Sequence, residues 1–152
     1  MTLSLRPLTL DTWDDCIDLK VRDDQREFIA PNLYSIAEAQ FYPGTVCRAV
    51  YADETMVGFL MYGPDAGYSP PNERDAAYAV VRLMIDQEHQ GKGYGHAAME
   101  AAINEIVATD RCQSIYLSFT PANARAERLY RRLGFLPTGG VADEEVVFRL
   151  AF

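Results

Sequence analysis

Cysteine is scarce in this 152-residue chain, and its few cysteines form no recognisable site. Cys16, Cys47 and Cys112 are an odd number, are widely spaced and include no Cys-x-x-Cys pair. A disulfide framework and a cysteine-ligated metal are therefore not expected. We predict three reduced structural thiols and no metal site.

Long apolar runs are also missing. No stretch approaches the ~18 apolar residues of a membrane-spanning helix. The N-terminal sequence Met-Thr-Leu-Ser-Leu-Arg-Pro alternates like a strand and lacks the apolar core of a signal peptide. These absences predict a cytoplasmic protein with no membrane partner. The length, with 49% hydrophobic and 24% charged residues, fits a single domain over residues 1–152.

Basic residues are outnumbered, with 14 Lys and Arg against 22 Asp and Glu and a net charge of −8. A general nucleic-acid binder needs a basic face, so no nucleic-acid partner is expected. Residues 1–110 hold eighteen acids and eight bases, whereas residues 111–152 hold four acids and six bases. An acidic first part would attract a cationic partner and a basic remainder an anion, although a merely solvated acidic surface fits the same counts.

The apolar pattern predicts a mixed α/β sheet flanked by helices. A nearly continuous apolar strand at residues 76–85 is expected at the centre of the sheet. Ser35 and Glu38 have capping-box spacing and predict a helix start, while Gly139 and Gly140 predict a turn between the last two strands. The predicted strands cover residues 3–5, 45–52, 55–62, 76–85, 114–119, 135–137 and 145–151, and the predicted helices cover residues 12–20, 23–29, 35–43, 94–108 and 123–133, with a loop at residues 63–75.

A glycine-rich turn joins the apolar strand that ends at Ile85 to the helix after it. Gly91, Gly93 and Gly95 leave this turn without bulk, so successive backbone N–H groups can converge on one point. The helix adds the positive end of its dipole, and Lys92 adds a full positive charge. The turn therefore predicts an anion site that suits a phosphate.

A second motif, Asn123-Ala-Arg-Ala-Glu-Arg-Leu-Tyr-Arg-Arg-Leu-Gly-Phe135, is predicted as an amphipathic helix. Its apolar residues fall at i, i+3, i+4 and i+7, which places Tyr130 on the apolar stripe. On spacing alone, core packing explains this tyrosine better than a catalytic role does. The apolar positions are Ala126, Leu129, Tyr130 and Leu133, and the arginines away from them are Arg125, Arg128, Arg131 and Arg132.

Together the two motifs resemble the GCN5-related N-acetyltransferase (GNAT) superfamily. The sequence Gln90-Gly-Lys-Gly-Tyr-Gly95 matches the pyrophosphate loop Gln/Arg-x-x-Gly-x-Gly/Ala, and the second motif matches Asn-x-x-Ala-x-x-Leu-Tyr-x-x-x-Gly-Phe. The resemblance spans the element order of the whole chain and is strong over residues 80–136. It implies a mixed, mostly antiparallel central sheet flanked by helices, acetyl-CoA as co-substrate and N-acetyl transfer to an amine.

Three further segments look like bacterial spermine/spermidine acetyltransferases within that superfamily. They are Phe28-Ile-Ala-Pro-Asn32, Ser35-Ile-Ala-Glu-Ala39 and Arg82-Leu-Met-Ile-Asp86. A small cationic acceptor with a primary amine, such as a polyamine, is therefore the favoured substrate. Fold and family do not fix a substrate, so protein or peptide N-acetylation and a non-catalytic CoA-binding module remain alternatives, with Tyr130 and Asn123 speaking against the last.

The resemblance also implies roles for individual residues. The backbone at the end of the apolar strand, Leu83-Met84-Ile85, would pair with the pantetheine arm and polarise the thioester carbonyl. The glycine turn would hold the pyrophosphate. Tyr130 would protonate the coenzyme A thiolate, and Lys92 with the arginines would meet the 3′-phosphate. The implied cofactor-binding residues are Leu83, Met84, Ile85, Gln90, Gly91, Lys92, Gly93, Tyr94, Gly95, Asn123 and Tyr130.

The general base is not given by a motif, because the strand at residues 78–85 has no carboxylate. Glu27 and Glu38 are the predicted catalytic candidates, since a pocket for a polycation needs carboxylates as well as aromatic side chains such as Tyr34 and Tyr42. A water chain could also remove the proton. Homodimers are common in the superfamily, so a homodimer is possible. Other candidates for the base are Glu73, Asp75 and His89, and His96 is expected in helix packing or at the cofactor mouth.

Overall fold

The structure is a computed structural model that describes residues 2–109 and 111–152. Seven strands form one sheet in the order β1-β2-β3-β4-β5-β7-β6, and β4–β5 is its one parallel pair among the described residues. The prediction of a mostly antiparallel α/β fold is confirmed. That the domain extends over all of residues 1–152 stays a prediction. The strands are β1 (Leu3–Pro7), β2 (Val46–Ala52), β3 (Thr55–Pro64), β4 (Ala77–Ile85), β5 (Ser114–Phe119), β6 (Leu136–Ala142) and β7 (Glu145–Ala151).

Helices cover both faces of this sheet. The α-helices are α1 (Trp13–Asp18), α2 (Asn32–Ala39), α3 (Tyr94–Val107) and α4 (Ala124–Arg132), and short 3₁₀ helices span Asp23–Phe28, Pro71–Ala76 and Gln87–His89. The centre of the sheet is buried on both sides, which is why β3 and β4 read as nearly continuous apolar runs.

The core is divided between the two faces. On one face, Ala98 and Ala102 of α3 are fully buried in the main apolar cluster, where small side chains let the helix lie close to the sheet. On the other face, Phe59 and Met84 pack with Cys16 of α1 in a smaller cluster. All three cysteines are free thiols, and burial raises the pKa of Cys16 to about 12.

The start of α2 differs from the prediction. The helix begins at Asn32, just after Pro31, and the buried Ser35 hydroxyl inside it has no partner among the described residues. The predicted capping box at Ser35 is therefore wrong. Proline favours the first turn of a helix because it fixes φ and needs no N–H acceptor there, and Asn32 uses its amide to bond the carbonyl oxygen of Cys16 at 2.9 Å.

The turn between the last two strands also differs. Asp143 and Glu144 form the two-residue loop with φ of +49° and +66°, and Ala142 pairs directly with Glu145. The predicted turn at Gly139 and Gly140 is wrong, because these glycines lie within β6 where the pairing slips between Pro137 and Val141. The consequence is that Glu145 begins β7 directly after a tight turn.

Candidate active site

The sheet splits between β4 and β5, and a cavity opens there. The two strands pair only where Ala77–Ala79 meet Ser114–Tyr116, while β4 continues to Ile85 and β5 to Phe119. The cavity beside these strand ends measures about 1540 Å³. Pockets for one small molecule usually measure ~300–1,000 Å³, so this cavity has room for two substrates.

The glycine turn forms one side of the cavity. Gly91 and Gly93 have φ of +79° and +82°, a backbone region that favours glycine, and Gly93 is the N-cap of α3. A Cβ on either residue would meet no other described atom within 4 Å. Among the described residues, no acceptor bonds the backbone N–H groups of residues 91–96. The first turn of α3 contains no acidic residue, so this geometry suits an anion.

Gly95 differs from the other two glycines. Its φ is not positive, and an added Cβ would meet Leu129 at 3.8 Å and Ile85 at 3.9 Å, both ordinary contacts. The conformational need for glycine in this turn is therefore confined to positions 91 and 93.

Gln90 fastens the turn to three neighbouring elements. Its side-chain amide donates to the carbonyl oxygen of Ile85 at 2.9 Å and to Gln25 Oε1 at 2.9 Å, and its oxygen accepts from Arg125 at 3.2 Å. The side chain thereby ties the end of β4, the 3₁₀ helix Asp23–Phe28 and α4 together. Lys92 is exposed and does not line the cavity, so its role at a phosphate stays a prediction.

Helix α4 brings the second motif to the same cavity. Asn123 is its N-cap, with Oδ1 accepting from the Ala126 N–H at 3.2 Å. The centroid of the Tyr130 ring lies 5.6 Å from the centroid of the Phe119 ring and 6.0 Å from that of the Phe135 ring. Burial, and secondarily the negative charge of Glu145, raises the Tyr130 pKa to about 12. This phenol therefore stays protonated near neutral pH and can donate a proton.

Three of the four arginines of α4, Arg125, Arg128 and Arg132, line the cavity. The fourth, Arg131, bonds Glu127 at 2.9 Å and lies over the Phe148 ring at 5.2 Å. The guanidinium groups of Arg125, Arg128 and Arg132 belong to the helix that Asn123 caps and that carries Tyr130. Positive charge and the predicted proton donor therefore line the same side of the cavity.

Both predicted carboxylates, Glu27 and Glu38, lie in the cavity wall. Glu38 of α2 accepts from Arg82 of β4 at 3.2 Å, and the two side chains are only 25% and 21% exposed. The Nε of Arg82 is buried without an acceptor among the described residues. Glu27 is exposed and has no ion-pair partner in the described part of the chain.

The other candidates for the base separate into two groups. Glu73 and Asp75 lie in the 3₁₀ helix Pro71–Ala76 and do not line the cavity, so they are not placed to reach an acceptor. His89 and His96 do line it. His89 can bring a ring nitrogen within 4.8 Å of carboxylate oxygens of Asp86 and Glu88.

Sequence reasoning missed three residues in the cavity wall. Tyr68 and Ser118 join their hydroxyl oxygens at 2.8 Å, and Ser118 donates to Glu145 Oε1 at 2.7 Å. They come from a loop, from β5 and from β7, so no sequence spacing links them. Of the two aromatic side chains predicted for the acceptor pocket, Tyr42 lines this cavity and Tyr34 does not.

Within the described residues, none of the helices has both the length and the apolar character that crossing a bilayer requires. The long helix α3, with fourteen residues, is too short.

Comparison with known proteins gives both a family and a fold. The family described as "Acetyltransferase (GNAT) family" matches residues 10–135. A spermine/spermidine N(1)-acetyltransferase of Bacillus subtilis is 31% identical over 135 residues, covering 89% of this chain and 88% of the relative. A crystallised aminoglycoside acetyltransferase with bound coenzyme A aligns with a TM-score of 0.79 at 16% identity, covering 99% of this chain and 95% of that one.

A solved spermidine N-acetyltransferase of Vibrio cholerae, in complex with CoA and spermine, aligns with a TM-score of 0.72 at 19% identity. The alignment covers 97% of this chain and 92% of that one. These structures confirm the predicted fold. Because the family match spans most of the chain, and the Bacillus relative agrees with it, the chain belongs to the GNAT family of acetyltransferases.

Proposed function

We propose that this acetyltransferase moves the acetyl group of acetyl-CoA to a primary amine of a small cationic acceptor, with spermine or spermidine favoured. The observation that carries the proposal is one cavity that joins unbonded backbone N–H groups at the glycine turn, a protonated Tyr130 and a carboxylate-bearing wall. The named activity of the Bacillus relative supports the choice of a polyamine. The solved relatives hold coenzyme A, which agrees with acetyl-CoA as the co-substrate.

The residues of the glycine turn, of the end of β4 and of α4 fit acetyl-CoA as the acetyl donor. The backbone N–H groups of the turn would bind the pyrophosphate, with the positive end of α3 behind them. The backbone at the unpaired end of β4 would pair with the pantetheine arm and polarise the thioester carbonyl. Asn123 would meet the pantetheine, while Lys92 and the cavity-lining arginines would meet the 3′-phosphate. The cofactor-binding set is Leu83, Met84, Ile85, Gln90, Gly91, Lys92, Gly93, Tyr94, Gly95, Asn123 and Tyr130.

Tyr130 would act as the general acid. When the carbon–sulfur bond breaks, the thiolate of coenzyme A needs a proton, and a neutral phenol can supply it. The apolar contacts with Phe119 and Phe135 keep the phenol neutral, because they disfavour the charged phenolate.

The carboxylates on the other side of the cavity suit a polycation. Glu38, held by Arg82, and the exposed Glu27 offer negative charge, and Tyr42 offers an aromatic face for an ammonium group. Glu27 and Glu38, the predicted catalytic candidates, are proposed here to bind the ammonium groups of the acceptor.

We also propose a cytoplasmic location and a homodimer. Three free thiols of raised pKa agree with a reducing compartment. Size measurement by light scattering tests the homodimer directly.

The test of the acceptor is coenzyme A thiol release with acetyl-CoA and a panel of spermine, spermidine, amino acids, an aminoglycoside and short peptides. We expect turnover with the polyamines at the highest kcat/KM. Turnover confined to peptides would instead identify a peptide N-acetyltransferase. Binding of acetyl-CoA by calorimetry without transfer to any amine would leave a CoA-binding module.

A further inference from the structure

Tyr68, Ser118 and Glu145 form a hydrogen-bonded network in the cavity wall. None of these residues has a role in the function proposed above. A serine hydroxyl has one proton, and Ser118 gives it to Glu145 Oε1 at 2.7 Å. Tyr68 must therefore be the donor in its 2.8 Å bond to the Ser118 oxygen. The order of donation ends at Glu145, so the network delivers hydrogen bonds to one oxygen of a carboxylate.

Tyr68 is held in place by the loop around it. Its ring stacks on that of Tyr116 of β5, with 6.5 Å between the ring centroids. Its backbone N–H donates to Oδ1 of the buried Asp65 at 2.8 Å. Asp65 also accepts from the Gly67 N–H at 3.0 Å, from the Ser69 N–H at 2.7 Å and from the Ser69 hydroxyl. This loop is therefore ordered by one carboxylate, and it fixes the first donor of the network.

Strand pairing places the backbone of Glu145 next to a contact residue of the proposed general acid. The Glu145 side chain points with Ser118 to the other face of the sheet, because side chains alternate along a strand. Phe119 of β5 is paired with Val146, the neighbour of Glu145, and the Phe119 ring also contacts Tyr130. The charge of Glu145 also contributes, after burial, to the raised pKa of the Tyr130 phenol. The tight turn at Asp143 and Glu144 sets where β7 begins.

One oxygen of Glu145 is left for a substrate. Oε1 accepts from Ser118, whereas Oε2 has no hydrogen-bond donor within the described residues. Glu145 lines the cavity and has no arginine or lysine in ion-pair distance there, again among the described residues. Glu38 differs in charge, because the guanidinium of Arg82 bonds its Oε1 at 3.2 Å and competes with an incoming ammonium group, although Oε2 of Glu38 also has no donor among the described residues.

We propose that Glu145 is the general base, accepting on Oε2 the proton that the acceptor amine loses, with Ser118 and Tyr68 as positioning residues. This inference rests on the proposed acetyl transfer. The ammonium form of the acceptor gives one proton to Glu145, and the nitrogen lone pair then forms the C–N bond at the thioester carbonyl. The C–S electron pair leaves with sulfur, which takes the Tyr130 proton. The second nitrogen proton restores the phenol, and Glu145 releases its proton to solvent.

The central test is Glu145→Gln, with Glu144→Gln as the matched control. Glu144 is the preceding residue, is exposed and does not line the cavity. Kinetics with spermidine should show kcat lowered on the order of 10²-fold or more by Glu145→Gln, with a smaller change in KM and unchanged acetyl-CoA binding. Glu144→Gln should match the wild type.

A less basic acceptor separates a base from a merely structural residue. A polyamine analogue whose terminal amine is made less basic by a neighbouring fluorine is already neutral in a larger fraction, so it needs less help in losing a proton. The defect of Glu145→Gln should shrink with this analogue. An equal defect with both acceptors would overturn the assignment as base.

Ser118→Ala provides a second variant that keeps the carboxylate. Removing the donor to Oε1 should lower kcat about 10-fold, and Tyr68→Phe should lower it less. If Glu145→Gln fails to fold by circular dichroism, Ser118→Ala decides, and an unchanged kcat there rejects the network. A wild type active on spermidine with a normal Glu145→Gln rejects this inference alone, whereas a wild type inactive on every amine rejects the proposed function with it.

Discussion

At the scale of the residue, the chemistry depends on how a few side chains are kept in one protonation state. Tyr130 lies against two aromatic rings, and burial, with a smaller contribution from the charge of Glu145, raises its pKa and holds its proton in place. Its hydroxyl is the proposed source of the proton for the thiolate. Losing only that hydroxyl should therefore affect the chemical step and leave binding intact.

Tyr130→Phe tests this directly. We expect kcat to fall on the order of 10²–10⁴-fold, the usual contribution of a general acid, while calorimetry shows acetyl-CoA affinity changed by less than about threefold, because the ring contacts remain. Leu129→Met is a suitable control, since it alters a neighbouring cavity residue without removing a polar atom. Unchanged turnover in Tyr130→Phe would remove this residue from the mechanism.

Glu38→Gln addresses acceptor binding at the same scale. The substitution keeps an oxygen that can accept from Arg82 but removes the negative charge. KM for spermine should rise by about 2- to 5-fold, corresponding to the ~0.5–1 kcal/mol of a partly exposed charge interaction, with kcat changed less. A large loss of kcat with unchanged KM would mean that Glu38, and not Glu145, takes the proton.

At the scale of the element, the glycine turn offers a matched pair of substitutions. Gly93→Ala puts a side chain on a residue with φ of +82°, whereas Gly95→Ala meets only ordinary contacts in a helix. Gly93→Ala should cost about 1–2 kcal/mol of stability and raise KM for acetyl-CoA, because strain displaces the N–H groups. Gly95→Ala should be close to the wild type in both. Equal effects in thermal unfolding and in kinetics would contradict this account of the turn.

The loop around Asp65 makes a prediction about acid. Burial acts to raise the pKa of Asp65, but hydrogen bonds from Ser69, Gly67 and Tyr68 outweigh it and lower the pKa below its ordinary value of 3.8. A carboxyl with a lowered folded-state pKa stabilises the fold above its ordinary pKa, and this contribution is lost as pH falls through the folded value.

Asp65→Ala should accordingly lower the free energy of unfolding by about 2–4 kcal/mol at pH 7. The difference from the wild type should shrink as the pH of a urea titration falls below about 4. Glu73→Ala, in the exposed turn nearby, is the control and should have little effect. A pH-independent difference would show that the ionised carboxylate is not what orders the loop.

The same elements show what the sequence could reveal. The positions of the glycine turn and of the α4 motif were predictable because each lies within a short segment whose spacing expresses its geometry. The network of Tyr68, Ser118 and Glu145 was not, because it depends on β7 pairing with β5 across the sheet. The turn at Asp143 and Glu144 was missed for a local reason, since nearby glycines suggested the wrong place.

At the scale of the whole molecule, the candidate active site lies where two neighbouring strands of the sheet, β4 and β5, separate. The β4–β5 pair ends at Ala79, and both substrates are proposed to enter the cavity beyond that point. The arginines of α4 lie on one wall and Glu27 and Glu38 on another, although the chain carries a net charge of −8. The uneven charge of the sequence predicted such a division only as one of two options, because counts do not locate side chains.

The central claim is that acetyl is transferred from acetyl-CoA to a polyamine, and product analysis tests it most directly. Wild-type protein with acetyl-CoA is given spermidine, an aminoglycoside and a short peptide together at equal concentration, and the products are identified by mass spectrometry. The account predicts that singly acetylated spermidine accumulates first and to the greatest extent. Acetylated peptide or aminoglycoside with unmodified spermidine would contradict it.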